Sequence, residues 1–286
     1  MIEKLLEMAF EEDLGDLGDI TTDAVFTDSR TDTYWLIAKQ DGVLCGADIF
    51  TRAFSYVDKK YSDKISINRE SQIEFYFSDG DTLKKGQKVA KIDGSINTLL
   101  KGERVALNFI SHLSGIATEV RKWTDLISSI SNNKTKILDT RKTLPGWRQL
   151  QKYAVKCGGG TNHRMGLYDM VMIKDNHTDG IGSITKAVEK VRSKWGDKFK
   201  IEVETRTLQE VQEALDSNVD IIMLDNMDIG TMKEAVKIVN GKAATEASGN
   251  MTLDRIKEVA QTDVDYISVG SLTHSVTAFD FSLRKI

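Results

Sequence analysis

The chain has 286 residues, 40% of them hydrophobic, and a formal net charge of −4. That length accommodates one large α/β barrel or two domains with buried cores, and the acidic balance excludes a general nucleic-acid binder, which carries a basic surplus over a whole domain. No apolar run approaches the length of a membrane span, and the opening MIEKLLEMAFEEDLGD reads as an acidic amphipathic helix rather than a signal peptide.

Cys45 and Cys157 are the only cysteines. They are far apart and lack metal-ligand spacing, so the expectation is a reduced, cytoplasmic protein without a membrane or nucleic-acid partner. Cys157 reads as a small buried residue rather than a nucleophile.

Two textures meet near residue 115. After the N-terminal helix, Ile73–Phe77 leads into Ser78-Asp79-Gly80-Asp81, and Leu83-Lys84-Lys85-Gly86 leads into Val89–Ile92. Gly and Asp between β-rich runs predict tight turns with positive φ. A similar phrase occurs in swinging-arm carrier domains, but no flanked tip lysine is present, so a structural hairpin is the reading. A helix follows, with Ala106, Phe109, Ile110, Leu113 and Ala117 on one face.

Beyond that point short strands alternate with amphipathic helices. The predicted strands are 136–139, 170–174, 200–204, 220–225, 243–247 and 266–270. Helical spacing lies between them at Ile184/Ala187/Val188/Val191, Leu208/Val211/Leu215, Ile229/Met232/Val236/Val239 and Leu253/Ile256/Ala260. This alternation predicts a parallel sheet covered by helices. Six strands fall short of the eight of a closed barrel.

The chemistry sits at the strand ends. Each strand closes in, or just before, a polar or glycine cluster: Asp139-Thr140-Arg141-Lys142, Lys174-Asp175-Asn176, Glu202-Val203-Glu204, Asp225-Asn226, Glu246-Ala247-Ser248-Gly249 and Gly270-Ser271. In parallel α/β folds these ends converge on one mouth, where ligands bind. A single polar end is explained as a helix cap; six in register are not. Within residues 139–177 there are seven Lys and Arg against three acids, a local excess that calls for a concentrated anion. A solvated helix face accounts for Arg148, Lys152 and Lys156, but not for Arg141, Lys142, Arg164 and Lys174. Ser248-Gly249-Asn250 and Val269-Gly270-Ser271 suit phosphate, because glycine lets backbone N–H groups approach an anion.

The stretch DTRKTLPGWRQLQKYAVKCGGGTNHRMGLYDMVMIKDNH closely resembles the signature region of quinolinate phosphoribosyltransferase. The resemblance extends to Gly18-Asp19-Ile20-Thr21-Thr22, to Glu103-Arg104 with Leu107-Asn108-Phe109, to Ile222–Asn226 and to Ser268-Val269-Gly270. It implies an incomplete parallel α/β barrel over residues 115–273, and an open α/β N-terminal domain over 1–114 completed by the C-terminal tail, 274–286. It implies transfer of phosphoribosyl from phosphoribosyl pyrophosphate to quinolinate with decarboxylation, giving nicotinate mononucleotide, CO2 and pyrophosphate. The expected assembly is a homodimer or hexamer with a shared active site.

By that similarity Lys142, Lys174, Glu204 and Asp225 are the expected catalytic residues. Thr140, Arg141, His163 and Arg164 would bind substrate, with Arg104 supplied by a neighbouring subunit. Ser248, Gly249, Asn250, Gly270 and Ser271 would cradle the 5-phosphate. The implied cofactor is Mg2+, held mainly through the substrate diphosphate with Glu204 and Asp225. Asn250 stands where many relatives have glycine, a substitution that suits a positive φ. The alternative is a paralogous phosphoribosyltransferase-like protein with another substrate.

Overall fold

The computed structural model describes residues 1–27, 30–61, 70–130 and 134–286. The chain opens with α1 (Ile2–Leu14), α2 (Ile20–Val25), β1 (Thr31–Ala38), β2 (Gly42–Val43), α3 (Ala47–Lys60), β3 (Gln72–Phe75), β4 (Thr82–Leu83), β5 (Lys88–Ser95) and the long α4 (Ile96–Ser128). Then come β6 (Lys136–Leu138), α5 (Arg148–Cys157), β7 (Val171–Ile173), α6 (Asp175–Ile181), α7 (Ile184–Trp195), β8 (Ile201–Thr205) and α8 (Leu208–Asp216). The last elements are β9 (Ile221–Asp225), α9 (Ile229–Val239), β10 (Ala244–Ser248), α10 (Leu253–Ala260), β11 (Tyr266–Ser268), α11 (Ser271–His274) and β12 (Phe281–Arg284).

These elements form two compact units, one of residues 1–119, 145–159 and 275–286, the other of 120–144 and 160–274. In the first, an antiparallel sheet runs β12-β1-β5-β3. The tail completes it through the register Trp35↔Arg284 to Ala38↔Phe281, which buries Phe281 and Leu283. The turns flanking β4 use Gly80 and Gly86 at φ +97° and +89°, as predicted. Segment 145–159 departs from the single boundary expected near residue 114. It packs in the first unit because Trp147 stacks on Phe109 at 4.6 Å and Gln151 meets His112 at 2.8 Å. Its helix α5 is no solvated basic face, since Lys152 is only 1% exposed.

The second unit is a parallel sheet in the order β6-β11-β10-β9-β8-β7. The edge strands β6 and β7 do not pair with each other, so the barrel is incomplete. Along β8, β9 and β10 the residues Ile201/Val203, Ile222/Leu224 and Thr245/Ala247 are buried. The period of two therefore puts Glu202/Glu204, Met223/Asp225 and Glu246/Ser248 together on the opposite face. Registers Glu204↔Met223 and Asp225↔Ser248 set these neighbours side by side.

The helices explain why the polar strand ends are not caps. Ser183, Thr207, Asp228 and Thr252 accept the backbone N–H groups of Lys186, Glu210, Thr231 and Arg255. Each such cap stabilises its helix by about 1 kcal/mol. Glu204, Asp225 and Ser248 lie three or four residues earlier and are left for another task.

Candidate active site

The C-terminal ends of the six strands surround a cavity of about 400 Å³. One wall is cationic. Arg141 and Lys142 follow β6, Arg164 lies before β7 and Lys174 follows β7, and all four line the cavity. Burial pushes the Arg164 guanidinium below its ordinary pKa, and the like charge of Arg141 adds to the effect. Two guanidiniums of like charge on one wall make the potential there favourable to an anion. Arg164 is aimed by its Nη1 donating to Met170 O at 3.2 Å. Asp139, fully buried, accepts from the His163 N–H at 2.9 Å and from Asn162 Nδ2 at 2.6 Å, and so fixes the turn that carries Arg164.

The other wall is acidic. Glu204 and Asp225 lie on adjacent strands at the rim. Burial raises the pKa of Glu204, while Lys174 works against that rise. Lys174 Nζ lies 3.5 Å from Glu204 Oε2, so this acid belongs to both walls. Asp225 accepts from Asn226 Nδ2 at 2.9 Å.

Deeper in the barrel His163 Nε2 lies 2.9 Å from Glu202 Oε2 and 3.4 Å from Glu246 Oε2, both acids being fully buried. Burial and then the neighbouring Glu246 push Glu202 up to about 7. Burial disfavours a charged imidazole, whereas Glu202 and then Glu246 favour one strongly. The Arg164 N–H occupies His163 Nδ1 at 2.7 Å, so the ring proton belongs on Nε2, between the acids.

A second cavity of about 430 Å³ shares Thr140, Lys142, Asp225, Ser248 and Ser268 with the first and continues to Gly249, Asn250, Gly270, Ser271 and His274. Gly249 has φ +97°, and a Cβ there would come within 2.1 Å of Asn226 Oδ1. Asn250 takes φ +47°, the left-handed conformation that its residue type tolerates. Arg255 braces this loop, Nη1 donating to Gly249 O at 3.1 Å and Nη2 to Met227 O at 2.9 Å. A larger cavity of about 540 Å³, lined by Ile127, Val236, Val239 and Asp265, has Lys134 as its only cation among the described residues and so lacks the charge to hold a polyanion.

Residues 19–114 match the N-terminal domain, and residues 116–284 the C-terminal domain, of the quinolinate phosphoribosyl transferase family. The chain belongs to that family. A quinolinate phosphoribosyltransferase [decarboxylating] of Nicotiana tabacum is 41% identical over 99% of this chain and 82% of its own length. A probable nicotinate-nucleotide pyrophosphorylase [carboxylating] of Bacillus subtilis is 42% identical over 99% and 92%. The crystal structure of NadC from Streptococcus pyogenes superposes with a TM-score of 0.91 at 38% identity, covering 99% of this chain and 95% of that one.

Within this quinolinate phosphoribosyltransferase fold, the structure gathers every predicted site residue except Arg104 into the two adjoining cavities. Arg104 lies on α4 in the first unit, with its side chain exposed. Sequence reasoning missed the roles of Asp139, Glu202, Glu246, Asn226 and Arg255, and the place of His274 in the second cavity's lining. A period of two counted back from Glu204 was the available signal for Glu202, whereas nothing local marks Arg255 as a brace.

Proposed function

We propose that this chain transfers the phosphoribosyl group of phosphoribosyl pyrophosphate to quinolinate with loss of CO2, forming nicotinate mononucleotide and pyrophosphate for pyridine-nucleotide synthesis. The observation that carries this reading is the division of one pocket into a cationic wall and an acidic wall. Quinolinate has two adjacent ring carboxylates, and planar guanidiniums with a neighbouring ammonium hold such a pair best. Arg141, Arg164 and Lys174 take that role, and His163, set by Glu202 and Glu246, closes the same wall.

The ribose side follows from charge. As the diphosphate leaves, the anomeric carbon gains positive character, which Asp225 and Glu204 stabilise without repelling an anionic ring placed against the opposite wall. The ring nitrogen then bonds to that carbon. Departure of the 2-carboxylate as CO2 leaves an electron pair on carbon, stabilised by the positive ring nitrogen and the fixed cations until a proton arrives. Lys142 lines both cavities, a position from which it meets the diphosphate. The backbone at Gly249, Asn250, Gly270 and Ser271 takes the 5-phosphate.

Glu204 and Asp225 are hard oxygen donors on neighbouring strands and fit Mg2+. When bound with the diphosphate, that ion supplies neutralisation of the leaving group's charge. We further propose a homodimer or hexamer in which Arg104 serves a neighbouring copy's pocket. Its exposed side chain, which is not among the residues that line either cavity, supports this. The two thiol cysteines support a reducing, cytoplasmic location, which cell fractionation tests. No described helix is long and apolar enough to cross a membrane.

Turnover is the test. Purified protein given quinolinate, phosphoribosyl pyrophosphate and Mg2+ should release nicotinate mononucleotide, CO2 and pyrophosphate in equal amounts. Absence of the mononucleotide, or its appearance without CO2, would refute the reading.

A further inference from the structure

Sequence spacing does not relate Cys45 to Cys157, yet the first unit folds them together. Cys45 lies between β2 and α3 and is fully buried. Its N–H donates to Ser114 Oγ at 2.9 Å, and Ser114 Oγ donates back to Cys45 O at 3.1 Å, which pins this backbone to α4. Cys157 ends α5 and is half-buried. The two sulfur atoms and a carboxylate oxygen of Asp79 all lie within 4.8 Å of one another.

Asp79 is already engaged. Its Oδ1 accepts the N–H groups of Gly46 and Ala47 at 3.0 and 3.1 Å, and its Oδ2 accepts the Tyr153 hydroxyl at 2.9 Å. These bonds tie the turn after β3, the start of α3 and the middle of α5 into one frame. The Tyr153 hydroxyl also reaches the Cys157 sulfur, and an S–S bond requires the two sulfurs to close from within 4.8 Å to about 2.05 Å.

We propose that Cys45 and Cys157 form a reversible dithiol–disulfide pair, with Cys157 meeting the oxidant and Cys45 resolving it. The oxidant class is a peroxide. The Cys157 thiolate attacks one peroxide oxygen, the O–O bond breaks, and the released hydroxide takes a proton to become water, leaving Cys157 as a sulfenic acid. The Cys45 sulfur then attacks the Cys157 sulfur, the S–O bond breaks, and a second water leaves with the Cys45 proton. Two thiols lose two electrons, and one peroxide is reduced to two waters. A small dithiol reverses the bond by exchange.

The order of attack follows from access and from charge. Cys157 is the more exposed sulfur. The hydrogen bond between the thiols pushes Cys45 up and holds Cys157 below the ordinary thiol range, which puts the thiolate on Cys157. In the chain Cys157 runs directly into Gly158-Gly159-Gly160 and on to Asn162-His163-Arg164, so the bridge would anchor the segment that delivers those site residues. The proposal stands whether or not quinolinate is the substrate.

The experiment treats the full-length protein with hydrogen peroxide, denatures it in an alkylating reagent and reads intact mass and peptides. The expected product has lost two hydrogens, takes up no alkyl group and yields one peptide pair joining Cys45 to Cys157, with dithiothreitol restoring two alkylation sites. In Cys45→Ser a dimedone adduct should form at Cys157 instead, while in Cys157→Ser the buried Cys45 should stay unmodified. Wild-type protein that keeps both thiols alkylatable while its methionines oxidise would overturn the proposal, as would a bridge found only between chains. The wild-type mass decides the matter even if a variant fails to fold.

Discussion

An Arg141→Met protein is expected to bind quinolinate at least about tenfold more weakly, a loss of roughly 1.4 kcal/mol or more, without a matching loss of stability. A charge-assisted hydrogen bond typically contributes about 1.5–3 kcal/mol. Against that, removing Arg141 relieves the like-charge pressure it exerts on the buried Arg164, so the empty protein gains part of what complex formation loses. Arg164→Met should lose affinity at least as strongly but also melt lower, because the residue is only 9% exposed and its guanidinium donates to the Met170 carbonyl. Lys174→Met should lose affinity at little cost in stability, its side chain being 46% exposed. Direct titration paired with thermal melts checks the series, and unchanged affinity in all three would remove the diacid from this wall. If Arg104 serves a neighbouring copy's pocket, as proposed, Arg104→Ala should weaken quinolinate binding there rather than in its own chain. Co-assembly with Arg141→Ala should therefore restore activity, since one mixed site keeps both residues.

Asp225→Asn is expected to lower kcat by about 100-fold or more, the scale on which a lost electrostatic partner of the transition state is felt, with quinolinate affinity nearly intact. An interaction made mainly in the transition state has this signature. Glu204→Gln should behave differently. Its carboxylate lies 3.5 Å from Lys174 Nζ, so losing the charge loosens a residue of the diacid wall, and both turnover and quinolinate affinity should fall. Titration beside single-turnover kinetics separates the two acids. A parallel loss of affinity in Asp225→Asn would place that residue against the ring instead of the ribose.

What could be read in the chain beforehand was whatever depends on local period. Strands β6 to β11 are short apolar runs ending in polar clusters, and caps such as Thr207 and Thr252 mark each following helix. Because the C-terminal ends of parallel strands converge on one mouth, the sequence alone places Glu204, Asp225 and Ser248 there. It does not place pairings between distant segments. β1 finds β12 across the whole chain, and only family resemblance anticipated that the tail returns. The buried Lys152 has the four-residue spacing of a surface row. His163 with Glu202 and Glu246, like Cys45 with Cys157, becomes a cluster only once the units have folded. α6 escaped because its first turn, Asp175-Asn176-His177, reads as a strand-end polar cluster.

On the proposed function, the cationic wall is built for two adjacent carboxylates. Equilibrium titration with quinolinate, phthalate and nicotinate tests this directly. Phthalate keeps both carboxylates and lacks the ring nitrogen, so it should compete with quinolinate for the pocket. Nicotinate is one carboxylate short and should bind at least about tenfold more weakly than quinolinate. Nicotinate binding as tightly as quinolinate would contradict the account.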